Sequence, residues 1–142
     1  MSARVVFDTS TLIGAAVRPD SIPDRALQCA MGSHELFASA ETLGELERVL
    51  KKKRLNRYLK LEDRLLFAQT IRHNATKVAP AAMDLDSVRG ACRDATDEKF
   101  LALSLAANAD ILVSSDQDLL VLHPWRGIAI MTPAKFVEQF TI

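Results

Sequence analysis

The stretch Arg4-Val5-Val6-Phe7-Asp8-Thr9-Ser10 decides the fold class of this chain. Its first four residues include two valines and a phenylalanine, which predicts a short strand. The next three residues are helix-capping types, so a helix is expected to begin directly after the strand. A strand that runs straight into a helix predicts an α/β fold if the same alternation continues along the chain.

The alternation does continue on the C-terminal side of this stretch. Four further strands are predicted at 34–37, 77–79, 111–113 and 128–130. Helices are predicted at 12–16, 24–31, 40–53, 61–73 and 97–107, with a last helix beginning at Thr132-Pro133. Thr96 is the expected cap of the helix 97–107, Asn108 its left-handed end, and 80–93 a loop with a short helical turn. The pattern predicts a parallel sheet of about five strands with helices on both faces.

Length and composition exclude several classes of protein. The chain has 142 residues, 49% apolar and 25% charged, as expected of one folded domain rather than a disordered or fibrous chain. No apolar run reaches the roughly 18 residues of a membrane span, and the first residues show no positively charged leader. We therefore expect a cytoplasmic protein. Cys29 and Cys92 lie far apart and predict reduced, packed thiols, and the five dispersed glycines give no nucleotide-binding loop.

Positive charge is concentrated in one segment although the net charge is zero. The segment contains eight of the eighteen basic residues: Arg48, Lys51, Lys52, Lys53, Arg54, Arg57, Lys60 and Arg64. Such a segment is either a solvated helix face or a docking surface for a polyanion such as RNA. Glu45, Arg48 and Lys52 are spaced so as to share one stripe of the predicted helix 40–53.

Four acidic residues are candidates for a metal site. Asp8 follows the first strand, Asp116 follows the fourth, Asp97 opens the helix before the fourth, and Glu45 lies in the helix after the second. Carboxyl ends of parallel strands share one edge of the sheet, where ligands bind. Clustered carboxylates without basic partners suit Mg²⁺ or Mn²⁺, and such an ion can activate water for phosphoester hydrolysis. Each acid also has a purely structural interpretation, as a helix cap, a turn residue or, for Thr42-x-x-Glu45, a capping box.

Three motifs and Glu45 together resemble a PIN domain, in the branch of VapC-like toxins of bacterial toxin–antitoxin pairs. The motifs are VVFDTS (5–10), CRDATDEKFLAL (92–103) and ILVSSDQDLL (111–120). The resemblance covers nearly the whole chain and implies one three-layer α/β/α nuclease domain over residues 1–142. Two positions depart from the pattern: Ala95 stands where this branch often has proline, and Ser115 where it often has glycine.

The resemblance also implies an activity and roles for individual residues. It implies a Mg²⁺- or Mn²⁺-dependent endoribonuclease with an antitoxin partner, and it leaves a homodimer open. The residues Asp8, Glu45, Asp97 and Asp116 would be the catalytic, metal-binding quartet. Asp94 and Asp118 would be auxiliary acids, and Thr9, Ser10 and Ser114 hydroxyl neighbours of the metal.

Two other classes of function compete with this interpretation. A haloacid-dehalogenase-like phosphatase would explain the opening Phe7-Asp8-Thr9-Ser10, but Ser10 stands where that family has its second aspartate. A non-catalytic binding module would use the acids as caps or for a structural ion. Metal-dependent RNA cleavage separates the three, because the phosphatase would hydrolyse small monoesters and the module would do neither.

Overall fold

A five-stranded parallel sheet forms the centre of the computed structural model, which describes residues 2–140. The strands are β1 (Arg4–Phe7), β2 (Glu35–Ala38), β3 (Thr76–Lys77), β4 (Ile111–Val113) and β5 (Ala129–Met131). Their order across the sheet is β3-β2-β1-β4-β5, and all four strand pairs are parallel. The predicted α/β class is thus confirmed, while Met1, Thr141 and Ile142 of the expected domain 1–142 lie outside the described residues.

Eight α-helices are found within the described residues. They are α1 (Thr9–Val17), α2 (Ile22–Ser33), α3 (Ala40–Leu50), α4 (Leu61–Asn74), α5 (Ala82–Ser87), α6 (Glu98–Ala106), α7 (Gln117–Leu120) and α8 (Pro133–Phe140). Two short 3₁₀ segments, Lys53–Arg57 and Ala95–Asp97, precede α4 and α6. No helix among residues 2–140 is long and apolar enough to cross a membrane.

The sheet separates two hydrophobic cores. Side chains of successive strand residues point to opposite faces, so Val5 and Phe7 of β1 pack with α1, α2, α3, α4 and α8, whereas Val6 packs with α6 and α7. Helix α6 buries five consecutive residues, 100–104, and four of the five are apolar, as expected of a helix that is apolar on most faces. The result is the predicted three-layer α/β/α arrangement.

Helix α3 ends at Leu50, three residues before the predicted end, because a buried arginine binds the carbonyls that follow. Arg64 is fully buried in α4. Its guanidinium donates hydrogen bonds to the carbonyl oxygens of Leu50, Lys52 (3.1 Å) and Leu59 (2.9 Å). Two sequence predictions are therefore wrong: Arg64 is not part of an exposed cationic surface, and Lys52 lies beyond the helical stripe of Glu45 and Arg48.

Other differences from the predicted elements are small and have local causes. Strands β2 and β5 begin one residue later than expected, and β3 is Thr76–Lys77 rather than 77–79. Thr96 does not cap α6: the Asp94 side chain accepts from the Thr96 backbone N–H, which starts a 3₁₀ turn before the helix. Helix α7, which was not predicted, is capped by Asp116. Asn108 adopts the expected left-handed conformation, with φ of 50°.

Candidate functional site

The site lies where the strand order changes direction. Strands β2 and β3 extend the sheet on one side of β1, and β4 and β5 extend it on the other. Phe7 and Val113 are paired at the adjoining carboxyl ends of β1 and β4. A crevice opens at such a switch point in parallel sheets. Asp8 follows β1 directly and Asp116 follows β4 by three residues, so both reach this crevice.

Ser114 connects these two acids. Its hydroxyl donates to Asp8 Oδ2 at 2.5 Å and accepts from the Asp116 backbone N–H at 2.9 Å. The remaining oxygen of Asp8 caps α1 by accepting from the Thr11 backbone N–H at 3.0 Å. Asp116 Oδ1 accepts from the Asp118 N–H at 2.9 Å and so caps α7. The capping interpretation of Asp8 is therefore correct, whereas Asp116, interpreted from the sequence as a turn residue, caps a helix that was not predicted. Both side chains still line the crevice.

The crevice is a cleft of about 300 Å³. All four acids of the predicted quartet line it, although they come from four separate segments of the chain: Asp8, Glu45, Asp97 and Asp116. The other lining residues are Thr9, Ser10, Ile13, Val49, Arg54, Thr96 and Phe100. The cleft thus combines carboxylates, hydroxyls, one arginine and an apolar wall.

Glu45 differs from the other three acids because it has cationic partners. Lys99 Nζ lies 2.8 Å from Glu45 Oε2, and an Arg48 Nη lies 3.9 Å from the same oxygen. The Thr9 hydroxyl donates to Glu45 Oε1. The predicted Thr42-x-x-Glu45 capping box is absent, because the Ser39 hydroxyl and the Thr42 side chain cap α3 instead. Because Ser39 and Thr42 make the capping contacts, the Glu45 side chain is not used as a cap and lines the cleft.

The expectation of acids without basic partners holds for three members of the quartet. Within residues 2–140, no lysine, arginine or histidine forms an ion pair with Asp8, Asp97 or Asp116. Glu45 is the exception. Lys99 was not identified from the sequence, since nothing in a run of helix-forming residues indicates which lysine turns toward a carboxylate on another helix.

The electrostatics of the cleft show in the pKa values of its acids. Burial raises the pKa of Asp97 to about 7, and the neighbouring carboxylates of Asp116, Asp94 and Asp8 add to the shift. Asp97 Oδ2 is shielded from solvent and has no hydrogen-bond partner among residues 2–140. Burial also raises the pKa of Asp8, and the hydrogen bonds from Ser114 and Thr11 oppose that effect. When ionised, neither acid has a cationic partner within residues 2–140.

The two auxiliary acids, Asp94 and Asp118, lie near Asp97 but do not line the cleft. One carboxylate oxygen from each of Asp94, Asp97 and Asp118 falls within a group whose members are all within 4.8 Å of one another. Asp94 is exposed, and its hydrogen bonds from the Thr96 hydroxyl and backbone N–H hold its pKa below the ordinary value. Carboxylate oxygens from several residues, one of which (Asp97 Oδ2) is buried and unpartnered among residues 2–140, fit a hard divalent cation, so the residues present are suited to Mg²⁺ or Mn²⁺.

The raised pKa of Asp97 predicts how the stability of the metal-free protein depends on pH. Its pKa is about 7 in the folded chain, against an ordinary value of 3.8. Between these values the folded state holds a proton that the unfolded state has lost, so stability falls as pH rises from about 4 to about 7. Thermal unfolding in a chelator at pH 5 and pH 8 measures this. The melting temperature of the Asp97→Asn variant should differ less between the two pH values than that of the parent. An equally large difference would contradict the assignment of the raised pKa to Asp97.

The basic segment reaches the cleft at one residue. Lys51, Lys52, Lys53 and Arg57 are exposed outside the cleft, whereas Arg54 lines it. The Arg57 guanidinium lies 5.4 Å from the centre of the Tyr58 ring. The exposed residues Lys51, Lys52, Lys53 and Arg57 therefore form a positively charged rim, and Arg54 links this rim to the acidic cleft.

Comparison with known proteins gives a family for this arrangement. A family model described as PIN domain matches residues 4–118. An uncharacterized protein from Methanocaldococcus jannaschii is 26% identical over 146 residues, which covers 96% of this chain and 91% of that protein.

Solved structures with the same fold include complexes and single proteins. VapBC2 from Rickettsia felis, bound to a DNA fragment from its promoter, gives a TM-score of 0.66 at 16% identity and covers 91% of this chain and 98% of that one. PAE2754 from Pyrobaculum aerophilum gives a TM-score of 0.62 at 18% identity and covers 96% of this chain and 88% of that one. FitAcB from Neisseria gonorrhoeae gives a TM-score of 0.59 at 16% identity and covers 91% of this chain and 97% of that one. Because the family model matches most of the chain and the solved structures share its fold, the chain belongs to the PIN domain family.

Proposed function

We propose that this chain is a divalent-metal-dependent endoribonuclease and the toxin of a toxin–antitoxin pair. The observation that carries the proposal is the convergence of Asp8, Asp97 and Asp116, none of them ion-paired within residues 2–140, in one cleft. Membership of the PIN domain family supports a nuclease and disfavours the haloacid-dehalogenase-like phosphatase. The remaining alternative is a non-catalytic binding module, which would cleave no RNA when a divalent metal ion is supplied.

The residues that would hold Mg²⁺ or Mn²⁺ are Asp8, Asp97 and Asp116, with Glu45 in the same cleft and the auxiliary acids Asp94 and Asp118 near Asp97. When bound, a divalent ion would neutralise these carboxylates, polarise a phosphoryl oxygen and lower the pKa of a water molecule.

The chain's own side chains would orient the acids and the substrate. The Ser114 hydroxyl and the Thr11 N–H hold the two oxygens of Asp8 in fixed directions, so that acid needs no rearrangement before reaction. Ser10 lies 3.5 Å from Asp8 Oδ2 and adds a second hydroxyl. Arg54 is the cation in the cleft and would bind a phosphate next to the cleaved bond. The apolar wall of Ile13, Val49 and Phe100 would keep bulk water from one side of the cleft.

We predict that the products carry a 5′-phosphate and a 3′-hydroxyl. None of the three histidines lines the cleft, and two of them accept backbone hydrogen bonds elsewhere, His34 from Ala3 and His123 from Ile130. A histidine pair to activate the ribose 2′-hydroxyl is therefore not in place, and water is the expected nucleophile. End-group analysis of cleaved RNA measures this. Products with 2′,3′-cyclic phosphates, formed in a chelator, would refute the proposal, whereas a single deoxy substitution at the cut site should be tolerated.

The exposed lysines of the basic rim should contribute to RNA affinity. Changing Lys51, Lys52 and Lys53 together to Gln should weaken binding to all sequences, and it should reduce the salt slope of log affinity by roughly 0.7 for each phosphate that is no longer neutralised. The rate at saturating RNA should change little, because these side chains lie outside the cleft. Binding titrations at several salt concentrations measure both. Lys135→Gln, on the exposed face of α8, is the control.

The same triple variant tests what the rim is for. If its RNA affinity and salt slope match the parent protein while binding to the antitoxin is lost, the rim serves the protein partner instead. The VapBC2 and FitAcB structures support an antitoxin as the partner and the resemblance leaves a homodimer open. A small reading frame overlapping the upstream side of the gene, whose co-expression relieves growth arrest, is the expected genetic result.

A further inference from the structure

Lys99 is an enclosed cation beside the proposed active site. Only 11% of its side chain is exposed. Its ammonium lies 2.8 Å from Glu45 Oε2, donates a hydrogen bond to the Thr96 carbonyl oxygen, and sits 5.3 Å from the centre of the Phe100 ring. An ammonium this enclosed is costly to bury unless it is paired and hydrogen-bonded. Both requirements are met by residues of the site.

These contacts join two separate parts of the site. Glu45 belongs to α3, whereas Thr96 lies in the 3₁₀ segment that carries Asp97. Lys99 itself is in the first turn of α6. One side chain therefore ties the glutamate of the quartet to the turn that carries Asp97, the aspartate whose pKa is raised to about 7.

Lys99 reaches Glu45 from outside the cleft. It is not among the residues that line the 300 Å³ cleft. It lines a neighbouring depression of about 350 Å³, and the two share only Glu45 and Thr96 as a wall. A phosphodiester bound among the carboxylates would therefore meet Glu45 and not the lysine behind it.

We propose that Lys99 is a positioning residue that holds the Glu45 carboxylate in the cleft, a proposal that rests on the ribonuclease function proposed above. Three unpaired carboxylates already lie in the cleft, so a fourth is repelled and favours rotamers that point to solvent. The Thr9 hydroxyl holds Oε1, but it carries no charge. Arg48 is 3.9 Å away with 69% of its side chain exposed, and such a pair contributes little. Lys99 supplies the compensating charge.

The first test replaces Lys99 with methionine, which keeps most of the side-chain length and removes the charge. The maximal rate of RNA cleavage should fall about tenfold or more, since loss of a group that orients a ligand costs about that much. The KM for RNA should stay unchanged. Mn²⁺ affinity, measured without RNA by electron paramagnetic resonance, should weaken by a similar factor. Lys99→Arg should recover part of both.

The second test asks whether Lys99 acts through Glu45. In a Glu45→Gln background, Lys99→Met should cause no further loss of rate or of Mn²⁺ affinity, because the group it positions is already gone. Multiplicative effects of the two substitutions would overturn the proposal. A raised KM with a smaller salt slope would also overturn it, since that result means that the ammonium contacts RNA. Tighter Mn²⁺ binding in Lys99→Met would overturn it as well, because that result would mean that the ammonium repels the metal ion.

The outcomes separate this proposal from the proposed function. If the parent protein cleaves no RNA under any divalent ion, the ribonuclease proposal fails. The Mn²⁺ titrations of the parent, Lys99→Met, Glu45→Gln and the double variant still decide the role of Lys99. A drop in melting temperature with unchanged rate and Mn²⁺ affinity would mean a purely structural lysine. Lys99→Gln replaces the methionine variant in the same arms if the latter does not fold.

Discussion

Replacing Asp97 with asparagine should reduce RNA cleavage by about a hundredfold or more while the protein stays folded, since substitutions even at groups that only orient metal ligands cost roughly 10–100-fold. Asp97 lines the cleft with Asp8 and Asp116 and also lies within the acidic group with Asp94 and Asp118, so it is the acid common to both. The amide keeps the size of the side chain and removes its charge. Cleavage rates and Mn²⁺ titrations of the same preparations measure the loss, and the two should fall together.

The control for this variant is Asp86→Asn. Asp86 is exposed on α5 and, among residues 2–140, forms an ion pair only with Arg89 at the surface, so its replacement should leave the cleavage rate and the Mn²⁺ affinity unchanged. In a chelator at pH 8, Asp97→Asn should unfold at a higher temperature than the parent, because the charge that burial and the neighbouring acids oppose is gone. Cleavage by Asp97→Asn at the parent's rate, under matched Mn²⁺, would show that the metal assignment is wrong.

Replacing Arg64 with methionine should destabilise the fold by about 1–3 kcal/mol, because the buried Leu50 carbonyl would lose its guanidinium donor and an unpartnered buried acceptor costs about that much. The methionine would leave the carbonyls of Leu50, Lys52 and Leu59 without the guanidinium that binds them. It would also release the Asn56 side chain, which accepts from the same group. Urea unfolding followed by circular dichroism measures the change.

Arg57→Met is the matched control, because Arg57 belongs to the same basic segment and is exposed. An exposed substitution of this kind should change stability by no more than about 0.5 kcal/mol. If Arg64→Met kept its stability and lost RNA affinity, Arg64 would belong to the RNA-binding rim after all. The loop that Arg64 closes also carries Arg54 to the cleft, so a partly folded Arg64→Met protein should show weakened RNA binding as well.

The sequence alone determined the features that depend on neighbouring residues. Strand β1, the helix after it and the capping role of Asp8 all follow from residues 4–10, because capping and strand formation are settled within a few residues. The parallel sheet followed from the alternation of strands and helices. From that sheet it could be argued that Asp8 and Asp116 would meet at one edge, and they do line one cleft.

The predicted ends of helices were less accurate where a residue distant in the sequence determines them. The end of α3 depends on Arg64, which lies in the next helix and binds the carbonyl of Leu50. The sequence around Leu50 continues with lysines that favour a helix, so local preference predicted a longer one. The turn before α6 begins at Asp94 rather than at Thr96 for a local reason, since the Asp94 side chain accepts a hydrogen bond from the Thr96 backbone N–H.

Only the tertiary structure decided which charges face each other. Arg64 and Arg57 belong to the same basic run, yet one is buried against carbonyls and the other is exposed. Glu45 and Lys99 are both ordinary helix residues in sequence, and they form an ion pair because α3 and α6 meet beside the cleft. The energy of a charge depends on burial and on partners that are remote along the chain. Local sequence therefore supplied the candidate acids, and packing determined which of them are compensated.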